Sequence, residues 1–301
     1  MSLRPVKRIS LARPTIEGAG VHLQRAFGFG ATGEFDPFLL LDDFRNDNPE
    51  AYLAGFPWHP HRGIETITYV LAGTVNHGDS LGNKGILGPG DVQWMTAGSG
   101  ILHQEMPKGD ARGWMHGFQL WANLPASKKM TDPRYQDVPS AEIPEVVDDD
   151  GTTVRVICGD FWGKTGPVEG IAADPRYLDV SVPAGRRKTL PVETSRHAFA
   201  YVFEGSGTFR GASDPVAVRT EKVGSDSGSA VDEAGNRSLV LFDKGDEITV
   251  QAGDAGIRFL LVSGTPLEEP VAWQGPIVMN TQEELRQAFA ELHTGTFIKR
   301  R

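Results

Sequence analysis

Short alternating apolar segments recur along this chain, and each stops at a Gly, Pro or Asp cluster. Clear cases are Glu65-Thr-Ile-Thr-Tyr-Val-Leu71, Tyr177-Leu-Asp-Val-Ser-Val182, Ala198-Phe-Ala-Tyr-Val-Phe203 and Ile257-Arg-Phe-Leu-Leu-Val262. Residues two apart on a strand face the same side, so each run builds a strand with a buried face. The 36 glycines and 20 prolines are spread along the sequence rather than clustered. They punctuate many short strands and few helices, which predicts an all-β fold of sandwich or barrel type.

One helix is expected, near the C-terminus. Thr281 and Glu284 have capping-box spacing, Leu285, Ala288, Phe289 and Leu292 repeat with helical period, and Gly295 can end the helix. The Leu285, Phe289 and Leu292 face is expected to pack on a barrel.

A faint internal repeat organises the rest. Tyr69-Val-Leu-Ala-Gly73 resembles Tyr201-Val-Phe-Glu-Gly205, and Pro89-Gly-Asp91 resembles Lys244-Gly-Asp246. The longer second interval holds Gly211 to Asn236, which reads as an inserted loop. Two copies of one β-barrel fit this pattern. The expected layout is a first barrel over residues 1–134, a linker over 135–150, a second barrel over 151–275 and a helical tail over 276–301. The Asp148-Asp149-Asp150 run in the linker reads as solvated.

Several classes are disfavoured. The net charge of −9 opposes direct binding to a nucleic-acid backbone. Arg4, Lys7, Arg8 and Arg13 are followed by no apolar stretch of the secretory kind, and no apolar run approaches a membrane span. The single cysteine, Cys158, allows no intrachain disulfide. A reducing, cytoplasmic setting and a monomer are expected.

The chemistry is concentrated in two pairs. His59-Pro60-His61 puts two imidazoles on one side of a strand, and His103-Gln104-Glu105 repeats the geometry with a carboxylate. An HxH alone arises by chance in roughly one chain in five of this histidine content, so the second pair carries the reading. Two neighbouring strands would supply three nitrogens and one oxygen. That set suits a divalent first-row metal (Fe, Mn, Co, Ni, Cu or Zn) better than Ca or Mg.

Longer motifs surround these pairs. His59-Pro-His-Arg-Gly-Ile-Glu-Thr66, Pro89-Gly-Asp-Val-Gln-Trp-Met-Thr-Ala-Gly98 and Gly100-Ile-Leu-His-Gln-Glu-Met-Pro107 resemble signatures of the pirin family. So do Phe35-Asp-Pro-Phe-Leu-Leu-Leu-Asp-Asp-Phe44 and Gly275-Pro-Ile-Val-Met-Asn-Thr281. The resemblance extends over nearly the whole chain. It implies a bicupin, with a metal, usually iron as Fe(II), in the N-terminal barrel, held by His59, His61, His103 and Glu105. It implies a second barrel that has lost its metal site. Some members cleave the flavonol quercetin with dioxygen; others are transcriptional co-regulators or bind metabolic enzymes.

Glu65 competes with Glu105. It lies four residues after His61, the spacing of the general cupin ligand, but the pirin pattern takes its carboxylate from the HxE and leaves Glu65 as a buried acceptor or ion-pair partner. Aligning the repeats puts Pro191 and Glu193 at the places of His59 and His61, and Ile257 to Leu260 at the place of the HxE. His197, the one histidine of that half before the tail, reads as a packing residue.

Alternation puts His116 and Gln119 on opposite faces, so at most one of them faces the metal cavity. Phe56, Trp58, Trp94 and Met95 are candidates for an aromatic wall, although such residues are more often core. His22, His77 and His293 read as surface residues. Arg62 would attract an anionic substrate or pair with Asp42 or Asp43. Two functions fit the same donors. One is a dioxygenase acting on a flavonol-like substrate, with Glu105 as catalytic base. The other is a redox-sensitive, iron-binding regulator with a protein partner and no turnover.

Overall fold

The computed structural model describes residues 2–210 and 233–299. Most of the expected inserted loop, residues 211–232, lies outside them; Glu233–Gly235 forms a short strand on His197–Arg210. The fold is all-β in two barrels, with one substantial helix, Gln282–Thr294, at the end.

The first barrel has two facing sheets. The larger runs Arg134–Val138, Val92–Thr96, Ile64–Ala72, His116–Asn123, Phe38–Asp43, Val21–Phe27, Arg13–Glu17 in spatial order. The smaller runs Phe56–His61, Ile101–Lys108, Thr74–Asp79, Lys84–Leu87. In the second barrel the long strands His197–Arg210 and Glu247–Gly264 bend from one side to the other, and Arg187–Pro191 pairs with the first part of the latter.

The repeat glycines turn these corners. Gly73 and Gly205 stand four residues after Tyr69 and Tyr201, with φ of 76° and 67°. A Cβ on Gly73 would meet the Lys108 carbonyl oxygen at 2.6 Å, and one on Gly205 the Gly256 carbonyl oxygen at 2.1 Å. A backbone in the left-handed region with another backbone this close accepts only glycine.

The repeat tyrosines join the barrels. Tyr69 lies beside Phe118, which lies beside Asp43; Tyr201 lies beside Leu260, which lies beside Asp179. The rows are equivalent, and each tyrosine reaches the other row's acid. Tyr69 donates to Asp179 at 2.7 Å and Tyr201 to Asp43 at 3.0 Å. Arg258 and Arg45 pair with these buried aspartates. Around them Phe38, Ile67 and Phe118 pack with Phe199, Leu260 and Val262 in one shared core. Burying one such side chain is worth about 1.5–3 kcal/mol, so this contact dominates any hydrogen bond across it.

The chain crosses between barrels more than the sequence suggests. Val6–Leu11 pairs with Ser238–Phe242 of the second barrel. The stretch expected as a linker holds two strands: Arg134–Val138 edges the first barrel and Glu145–Val147 edges the second. The Asp148 and Asp150 carboxylates are not merely solvated, because Lys188 pairs with both. The helix has the expected capping box at Thr281 and a left-handed Gly295 cap. Leu285 is buried and Phe289 and Leu292 partly so, packed with Ile277, Met279 and Phe297 of the tail itself and with Ala272 just before it.

Candidate metal centre

Antiparallel pairing of Phe56–His61 with Ile101–Lys108 sets His59 opposite His103. Period-2 alternation then brings His61 and Glu105 inward. The ligating nitrogens of His59, His61 and His103 all lie within 4.8 Å of one another, the single such group among the described residues. Glu105 stands beside them, its Oε2 3.9 Å from His103 Nε2.

The hydrogen bonds fix the tautomers. His59 Nδ1 lies 2.8 Å from the Pro57 carbonyl and His61 Nδ1 3.1 Å from the Pro276 carbonyl. Carbonyls only accept, so both rings carry their proton on Nδ1. Their Nε2 atoms then meet as two lone pairs 3.0 Å apart. That contact is repulsive unless a cation lies between, and 3 Å is about the gap between two nitrogens at right angles around one ion at about 2.1 Å. Both ring nitrogens of His103 are buried with no hydrogen-bond partner among the described residues. Lone pairs aimed together in a buried site fit a metal ion and fit little else.

Burial tunes the charges. Desolvation holds His59 below its ordinary pKa, and His61 and His103 well below it. All three are neutral donors. Burial also pushes the Glu105 carboxyl up to about 7, against the opposing Thr68 hydrogen bond. The Thr68 hydroxyl lies 2.9 Å from Glu105 Oε1 and 2.7 Å from Gln119 Oε1. One hydroxyl proton cannot serve two acceptors. With the Gln119 amide turned over, its NH2 donates to Thr68 and Thr68 donates to Glu105.

A cavity of about 590 Å³ opens onto His59, His61 and Glu105. Phe56, Trp58, Trp121 and Trp273 line it, with Arg25 and Asp42 paired on its wall. Phe56 and Trp58 are where the sequence places them. Trp94 instead joins the core between the barrels, and Met95 packs with Ile64 and Val278. Gln119 faces the cavity and His116 faces away, against Phe118 and Phe203.

Glu65 also faces away. It shares its side of the strand with Ile67 and Tyr69, both in the inter-barrel core, and accepts from Thr96 at 2.7 Å. The Arg62-Gly63 turn between its strand and His61 breaks the parity that the spacing implied. Arg62 neither faces a substrate nor meets Asp42 or Asp43, which pair with Arg25 and Arg45. It is buried against the tail and pairs with Glu291.

His77 is a correction: it is buried inside the barrel, beside Glu105 in the ladder and stacked on Tyr135 at 5.9 Å. Alternation along Thr74–Asp79 was the signal that places it there.

The second barrel is filled differently. Leu190 faces Ile248 in the ladder as His59 faces His103, and Phe209 faces Val250 as His77 faces Glu105. The equivalent positions are therefore Leu190, Val192, Ile248 and Val250, one residue off the repeat alignment at the first pair and on a different stretch at the second. All four belong to one apolar core with no donor atom.

The pirin family model matches residues 20–122, and the model of the pirin C-terminal cupin domain matches residues 177–298. This chain belongs to the pirin family. A pirin-like protein of Caulobacter vibrioides is 46% identical over 99% of this chain and 100% of its own. Human pirin is 38% identical over 93% of this chain and 89% of its own. Among solved structures, a quercetin 2,3-dioxygenase from Acinetobacter baumannii superposes with a TM-score of 0.84 at 28% identity, covering 98% of this chain and 99% of that one. In this pirin-family fold the three-histidine cluster lies in the N-terminal cupin barrel. Among the described residues, no helix is long and apolar enough to cross a membrane.

Proposed function

We propose that this chain is a metal-dependent dioxygenase that cleaves the oxygen-bearing ring of a flavonol such as quercetin. One observation carries the reading: His59, His61 and Glu105 stand on the wall of an aromatic cavity large enough for a three-ring substrate. The relative from Acinetobacter baumannii supports the substrate class. His59, His61, His103 and Glu105 would hold the ion. It is a first-row divalent metal, Fe(II) before the others because the reaction needs redox chemistry.

A bound redox metal supplies the electron exchange that lets dioxygen react with a closed-shell ring. The chain's own residues do the rest. Trp58, Trp121 and Trp273 hold the flat substrate by stacking and keep water from it. Glu105, on the cavity wall, takes the proton of the substrate 3-hydroxyl on a carboxylate oxygen. Thr68 and Gln119 keep that carboxylate turned toward the site.

Flavonol loss under air, followed by absorbance, tests the reading. Protein loaded with Fe(II) should consume quercetin, a 3-O-methylated analogue should persist, and Zn(II)-loaded protein should be slow or inert. If no redox metal supports quercetin loss, the reading fails, and a regulator without turnover takes its place.

A further inference from the structure

His61 and Arg62 are consecutive, and the tail of the chain grips both. Arg62 is a buried cation, its side chain 2% exposed. Its Nε donates to the Ser99 carbonyl at 2.7 Å, its Nη2 to the Phe297 carbonyl at 2.8 Å, and its Nη1 pairs with Glu291 at 2.8 Å. The guanidinium carbon lies 4.1 Å from the centre of the Phe297 ring. The Arg62 carbonyl accepts from the Val278 amide at 3.1 Å. The next residue, Gly63, lies beneath the Val278 carbonyl, where a Cβ would sit 1.9 Å from the oxygen. Two residues before Val278, the Pro276 carbonyl accepts from His61 Nδ1.

The tail therefore touches His61, Arg62 and Gly63 in turn. It also supplies Pro276 to the cavity wall, next to Trp273 of the strand Ala272–Gln274 that leads into it. A buried guanidinium left without partners is strongly unfavourable, so tail and Arg62 hold each other. The planar fork meets two carbonyls and a carboxylate at once, which a lysine cannot do.

We infer that Arg62 is a positioning residue for the metal centre: it latches the C-terminal tail where the Pro276 carbonyl fixes the His61 ring and the tail closes the cavity. This rests on reading His61 as a metal donor. Release of the latch removes the acceptor for Nδ1–H, and His61 is then free to exchange tautomers and to turn. Outer hydrogen bonds of this kind commonly change metal affinity about 10–100-fold.

Full-length wild type, Arg62→Lys and Glu291→Gln, each as metal-free and Co(II)-loaded protein, test the latch. Nitrogen NMR of the metal-free wild type should show His61 protonated on Nδ1 alone, and Arg62→Lys should show mixed tautomers. The Co(II) dissociation constant should rise about tenfold or more in Arg62→Lys and less in Glu291→Gln, with a changed visible spectrum. A lower melting temperature with wild-type tautomer, affinity and spectrum in both variants would make Arg62 purely structural and overturn the inference alone. A wild type that binds no Co(II) would overturn the metal reading and the inference together.

Discussion

His59 and His61 each donate a ring proton to a carbonyl, which leaves two facing lone pairs, while burial depresses all three imidazoles and raises the carboxyl beside them. The pH dependence of metal binding follows. A proton competes with the metal only where the free site holds one, and the imidazoles are already neutral near pH 7. Glu105 alone, near 7, takes up a proton as pH falls. Metal affinity should be flat above pH 8 and fall about tenfold between pH 8 and pH 6, one proton per metal. Isothermal titration in two buffers checks it; a fall of a hundredfold or more would mean that histidines titrate as well. In the metal-free protein the sign reverses. Glu105 is raised above its ordinary 4.5, so its contribution to stability is full below 4.5 and is lost as pH rises to about 7. The two inward pairs were legible because strand parity is local. Glu65 was misleading because parity does not survive the Arg62-Gly63 turn. The environment of Arg62 was not legible, because its tail partners, Glu291 and Phe297, stand more than 220 positions away.

Among the elements, the strands and the capped helix followed from alternation and from Thr281 and Glu284, which are local signals. The repeat Tyr-Val-x-x-Gly was visible in sequence, but the reason for its glycine is a neighbouring backbone brought in by pairing. Gly73→Ala and Gly205→Ala should each destabilise more than Gly185→Ala. All three have positive φ, yet only Gly185 opens onto empty space. The conformational term alone is about 1 kcal/mol, and the steric term adds to it at the first two positions. Urea unfolding measures the difference. Equal costs at all three would mean that the corners are looser than the close approaches require.

Across the whole molecule, domain boundaries were the least legible feature. Val6–Leu11 completes the far barrel, and the tail returns to the near one; neither pairing leaves a local signature. The position of the second barrel's filled interior was also missed by alignment, which lay one residue off at the first pair and placed the second pair on the wrong stretch of Glu247–Gly264. The barrels share one core and exchange the Tyr69–Asp179 and Tyr201–Asp43 bonds. They should unfold as one unit. Tyr69→Phe and Tyr201→Phe should each lower stability by about 1–3 kcal/mol, because each leaves a buried carboxylate short of a donor. Two separate calorimetric transitions in either variant would contradict a single cooperative unit. The central claim is that Glu105 works beside three imidazoles as metal donor and base. Oxygen uptake with quercetin, in Fe(II)-loaded wild type and in Glu105→Gln brought to the same iron content, tests it most directly. The expected result is uptake by the wild type and a rate at least about a hundredfold lower in the variant, the usual size of a general-base effect. Equal uptake by both proteins, or none by the wild type, would contradict it.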